Sequence, residues 1–190
     1  MRRLPHGSMG LVVILLLSGT APAQTVDNPQ YQQWSVWREG ASVTWKTESG
    51  SKGGVQTTVT QTHTLKKLTA EKAVIEITTV TMAEGQTIKL DPVSMDIPAK
   101  APKVDAPPPG PPPAVGKDAA PKFKQNKGKE TLTINGKKLD CEWTKFEMEG
   151  GIESATWICP DVPAQLVKSV TKSPFGSSTM VLVEWKGTKK

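Results

Sequence analysis

The sequence predicts a mainly β protein: a curved antiparallel meander, half-barrel or small open barrel, with one short N-terminal helix and a disordered proline-rich insertion. Three observations carry this. From Ser42 onward, apolar and polar residues alternate with period two in run after run, and glycine or proline turns separate the runs. β-Branched residues crowd several of those runs, as in Ala73 to Met82. No convincing long helix follows Gly40.

Residues 1–23 read as a cleaved signal peptide. Arg2 and Arg3 precede the apolar run Leu11 to Leu17, and Ala21-Pro22-Ala23 offers the small residues a signal peptidase needs. The run is shorter than the roughly 20 residues of a membrane span, and no cysteine follows it to carry a lipid anchor. Loss of both arginines lowers the formal charge of +6 by two. The expected destination is the periplasm or the extracellular space.

The first half of the β-domain is expected over 24–97. Asn28-Pro29 is a helix start, with asparagine as cap and proline in the first turn. Tyr31, Trp34 and Trp37 recur on one side, and Gly40 is placed to stop the helix. Ser42 to Lys46 and Val55 to Leu65 alternate as strands around the Gly50–Gly54 turn. Ala73 to Met82 is the candidate central strand. Thr87 to Ile97 is a further strand that Pro92 marks as an edge or a bulge.

Between 98 and 125 the composition changes. Nine of the chain's 16 prolines fall there, seven residues from Pro107 to Pro113 being proline with one glycine. Such a run prefers an extended polyproline helix and reads as a spacer loop. Seven lysines lie between Lys117 and Lys138 against Asp118 and Glu130. They form a solvated flank first and a contact for an anionic envelope surface second.

The second half of the domain is expected over 126–190. Asn135-Gly136 is a two-residue hairpin turn pairing Leu132 with Leu139. The next hairpin turns at Gly150-Gly151. With a three-residue loop, Glu149 to Gly151, Met148 faces Ile152, Trp143 faces Trp157 and Cys141 faces Cys159, a spacing suited to a cross-strand disulfide. A two-residue loop would set the cysteines diagonally. Two cysteines in an exported chain are expected to be joined. Leu166 to Thr171 and Thr179 to Trp185 complete a meander of about eight strands, the last with Val181, Val183 and Trp185 facing away from Met180 and Leu182.

Two stretches carry a resemblance: Gly136-Lys137-Lys138-Leu139-Asp140-Cys141, and Trp157-Ile158-Cys159-Pro160-Asp161-Val162-Pro163-Ala164-Gln165-Leu166-Val167-Lys168. Their pattern is similar to a group of exported bacterial envelope proteins of unknown function. That group resembles, distantly, the outer-membrane lipoprotein carriers and receptors (LolA/LolB-like). The resemblance implies a curved, unclosed sheet around a hydrophobic cavity that takes acyl chains. It transfers no site residue.

Catalytic chemistry is not visible. His63 is the only histidine beyond the signal, and neither a triad nor a zinc site has partners at usable spacing. No cofactor is implied, and spread lysines on an exported chain do not argue for nucleic acid. The expectation is a non-enzymatic domain binding a lipid or acylated envelope component, with Trp34, Trp37, Trp45, Trp143, Trp157 and Trp185 as candidate cavity residues. The alternative is a structural or protein-contact module of the envelope with a filled core.

Overall fold

The structure, a computed structural model, describes residues 25–103 and 123–190. The signal-peptide reading and most of the spacer, residues 104–122, lie outside the described residues. In chain order the elements are β1 (Thr25–Asp27), α1 (Pro29–Ser35), β2 (Ser42–Ser51), β3 (Gln56–Leu68) and β4 (Lys72–Ala83). Then come β5 (Gln86–Lys89), β6 (Val93–Pro98), β7 (Lys100–Pro102), β8 (Phe123–Ile134) and β9 (Lys137–Met148). β10 (Ile152–Ile158), β11 (Leu166–Ser173) and β12 (Gly176–Lys186) complete the chain.

One antiparallel sheet holds ten strands in the order β5-β4-β3-β2-β12-β11-β10-β9-β8, with β6 also on β4. Each half is a meander of hairpins. The halves join where β12 pairs with β2, the end of the chain against its start. β5/β6 and β8 remain at opposite edges, so the sheet is not closed into a barrel. It curls nonetheless: at the β8–β9 turn the Asn135 amide donates to the Val183 carbonyl of β12 at 2.5 Å. A separate pair, β1 with β7, ties the start of the described chain to the approach of the 104–122 segment.

Local turn chemistry explains the hairpins. Asn135 and Gly136 both have positive φ, 51° and 76°, as a tight two-residue turn requires. Leu132 pairs with Leu139. The three-residue loop Glu149–Gly151 places Met148 against Ile152 and Trp143 against Trp157, the register expected from the sequence. Both glycines there have positive φ.

Five expectations need correction. Thr87 to Ile97 is two strands, broken at Leu90-Asp91-Pro92, because proline supplies no ladder donor; both pieces lie on the outer edge of β4. Ala73 to Met82, inside β4, is consequently next to an edge and not central; β-branched richness reports a half-buried pleat, not a position in the sheet. The helix ends at Ser35, and Trp37 lies beyond it in a bridge to Lys189. Strand β12 bulges between Leu182 and Glu184, leaving Val183 as the extra residue. Trp185 therefore shares the face of Leu182 instead of opposing it. The predicted spacer also contains β7 and the first residues of β8.

The core gathers at one end of the sheet. Trp34, Trp37, Ala41, Val43, Trp45, Leu65, Ile75 and Ile97 meet there with Leu139, Val162, Val167 and Leu182. The helix is held on that end by Asn28, whose side-chain amide donates to the Pro98 carbonyl at 2.8 Å, and by Tyr31, whose hydroxyl donates to the Thr69 carbonyl at 2.7 Å. At the other end all three phenylalanines of the chain, Phe123, Phe146 and Phe175, are exposed. The loop between β10 and β11 buries Val162 and Pro163, and the Trp45 indole donates to the Leu166 carbonyl at 2.8 Å.

Candidate functional site

Register decides where the six tryptophans go. Paired residues share a face, and one row of pairs crosses the whole sheet: Lys89, Val80, Thr60, Lys46, Val181, Lys168, Trp157, Trp143, Gly128. Trp143 and Trp157 thus lie on the face of Lys46. Trp45, the neighbour of Lys46 in β2, lies on the opposite face. It pairs there with Leu182, and Trp185 pairs with Val43 on the same side. The expected common cavity is therefore split. Trp34, Trp37 and Trp45 are only 3%, 3% and 6% exposed and are core residues, so the first two form no movable cover.

Trp143 and Trp157 have a different environment. They are half-buried and flank an open groove of about 480 Å³. Ala155 and Val170, a cross-strand pair, make its floor. Small residues create the space: Ala155 leaves the floor low, and Gly128 lets the Trp143 ring lie across β8. The Trp157 indole donates to Glu130 Oε2 at 2.7 Å, which sets the ring's orientation. The Lys168 ammonium lies 4.6 Å from the centre of that ring, a cation–π contact.

Charged groups rim the groove. Lys145 bridges Glu147 at 2.9 Å and Glu153 at 3.3 Å. Its hydrogen bonds to those carboxylates raise its pKa, and the same contact lowers that of Glu147. Lys168 and Lys172 flank Val170 on β11. Lys168, Lys172, Ala155 and Val170 are groove residues beyond the six tryptophans expected from the sequence. The alternation Lys168-Ser169-Val170-Thr171-Lys172 in a predicted strand was the available signal, since it places both lysines and the valine on one face.

Below the tryptophans, toward the core, come the cysteines. Cys141 and Cys159 are both buried and are free thiols in the structure. Burial, then the neighbouring Cys159, pushes the Cys141 thiol up to about 11, so it is no thiolate nucleophile at neutral pH. His63 stacks edge-on against Trp45 at 4.9 Å, and burial lowers its pKa. Among the described residues no group of three or more His, Cys, Asp or Glu is placed to hold a metal. Nor is any helix there long and apolar enough to cross a membrane. Of the lysine flank, Lys117 and Lys122 lie outside the described residues. Lys124 and Lys127 fall on opposite faces of β8, and Lys137 is spent over Trp185. The described part of the flank is thus not one patch.

The fold and groove together define an open, curled antiparallel sheet with an aromatic surface cleft. No protein-family model matches the chain, and no curated protein matches its sequence. Among solved structures it is similar to a protein of Bacteroides fragilis described as exported, with a YmcC-like fold. That match has 12% identity and a TM-score of 0.45, over 80% of this chain and 98% of the other. It is also similar to a LolA superfamily protein of Nitrosomonas europaea, at 10% identity and a TM-score of 0.23, over 83% and 91%. The architecture itself is defined by this chain's own strand pairing.

Proposed function

We propose that the mature chain is an exported, non-enzymatic binding protein that holds the apolar part of an amphipathic envelope ligand, a lipid or acylated molecule. The binding site in this reading is the Trp143–Trp157 groove. One observation carries it: two cross-strand indoles stand half-exposed over a small-residue floor, beyond the buried Leu139 and Cys141 that share the β9 face of Trp143. A cleft of about 480 Å³ is of the size that takes small ligands, ~300–1,000 Å³. Covering it is favourable by about 0.8 kcal/mol for each buried methylene. A ligand of this kind needs no catalytic residue and no cofactor.

Titration with dodecanoate and with a lysophospholipid is expected to change tryptophan emission saturably, and Trp143→Ala with Trp157→Ala is expected to abolish the change. Native mass spectrometry of gently extracted protein should show lipid carried along. Bare protein, with emission unmoved by several acyl ligands, would instead leave the protein-contact module. That second reading draws on the filled core around Trp34, Trp37 and Trp45, which makes the helix end a packed scaffold.

A further inference from the structure

We infer that the groove selects anionic amphiphiles, with Lys168 and Lys172 receiving the acidic head group. This deepens, and rests on, the reading of the groove as the seat of an apolar chain. The groove's charges fall into two kinds. Its carboxylates are engaged: Glu130 by the Trp157 indole at 2.7 Å, and Glu153 by Lys145 at 3.3 Å. Lys145 is engaged in turn by Glu153 and Glu147. Lys168 and Lys172 line the same groove, and among the described residues neither makes an ion pair with a carboxylate; Glu153, the cross-strand neighbour of Lys172, bridges Lys145 instead. The contact of Lys168 is with the face of Trp157, which leaves its N–H donors for water or a ligand.

The placement suits a head group over the floor. Lys168, Val170 and Lys172 alternate on β11 and share one face. The two lysine backbones are about 13 Å apart at ~3.3 Å per residue. Each ammonium rides on a flexible four-carbon stem, so both reach toward a group above Val170. The energetics point the same way. A neutral alkyl ligand laid along Trp157 strips water from Lys168 and returns nothing, and an unpaired charge beside an apolar wall resists that. A carboxylate or phosphate on the ligand supplies the counter-charge where the dielectric has just fallen.

The test compares dodecanoate with dodecanol, both below micelle formation, on the full mature chain and on Lys168→Gln/Lys172→Gln. Wild type is expected to prefer the acid by about ten-fold at low salt, and the preference should shrink as ionic strength rises. The double variant should bind acid and alcohol equally. Equal binding of the two ligands by wild type would overturn the inference while leaving the groove as an apolar site. So would a preference that survives in the variant. Failure of both ligands to bind would remove the groove reading together with the inference.

Discussion

Replacing Gly128 by alanine probes the groove from the strand beneath it. The Trp143 ring lies so close over Gly128 that a Cβ there would sit 2.6 Å from Cζ2, 2.7 Å from Cε2 and 2.8 Å from Nε1. Carbon contacts are comfortable at about 3.5–4.0 Å, so the ring must move by roughly 1 Å. Trp143 is half-buried and one side of it is the open groove, so that is where it can yield. Two opposing effects set the stability. Forcing in a methyl costs about 1–3 kcal/mol, whereas alanine is better than glycine inside a strand by roughly 0.5–1 kcal/mol. The net loss is about 1 kcal/mol, or a fall in Tm of roughly 2–4 °C for a chain of this size. Ligand affinity should suffer more, because the displaced indole occupies the space the ligand needs. Thermal melting by circular dichroism reads the first effect, and tryptophan-monitored titration with dodecanoate reads the second. Unchanged melting, emission and affinity in Gly128→Ala would refute the packing of Trp143 on Gly128 and the groove geometry built on it.

Other outcomes follow from single contacts. Cys141 and Cys159 are expected to form a disulfide on export, contributing on the order of 3 kcal/mol through the closed loop. Non-reducing peptide mapping should find the two peptides joined, and full alkylation of both thiols in envelope-derived protein would exclude the bond. Trp45→Phe removes the donor to the Leu166 carbonyl as well as buried area, and should cost about 2 kcal/mol; melting that matches wild type would show the bond to be dispensable. His63 is held below its ordinary value of 6.5 by burial. The unfolded chain therefore binds the proton first as pH falls, so this residue's share of stability is complete above 6.5 and is lost below it. Urea melts of His63→Gln should show a weaker loss between pH 7 and 5 than wild type; identical slopes would rule the coupling out. Shortening 104–122 to a few glycines should change melting little, since closure entropy grows slowly with length and β12 joins β2 directly. Separation into independently folding halves would contradict that pairing.

Much of the candidate site was legible locally. The Trp143–Trp157 and Leu132–Leu139 pairs follow from turn residues a few positions away, and Cys141 falls in register with Cys159 just past the last pair of β9 and β10. The lysines of β11 are equally local, two residues either side of Val170 in one strand. What escaped was the division of the tryptophans between two faces. Their spacing within each strand says which neighbours share a side, but not which side a distant strand presents.

The sequence by itself determined most of the strands, the Asn135-Gly136 and Glu149–Gly151 turns, and the register inside those two hairpins. Those depend on φ preferences and on two-residue alternation, which act between neighbours. Only the tertiary structure decided that β12 closes on β2, and hence that Trp45 looks away from Trp143 and Trp157. A period of two carries no information across a bulge, because one extra residue turns every later side chain to the other face. Val183 is such a residue: it puts Trp185 beside Val43, on the core side of the sheet, and leaves the groove to Trp143, Trp157 and the lysines of β11.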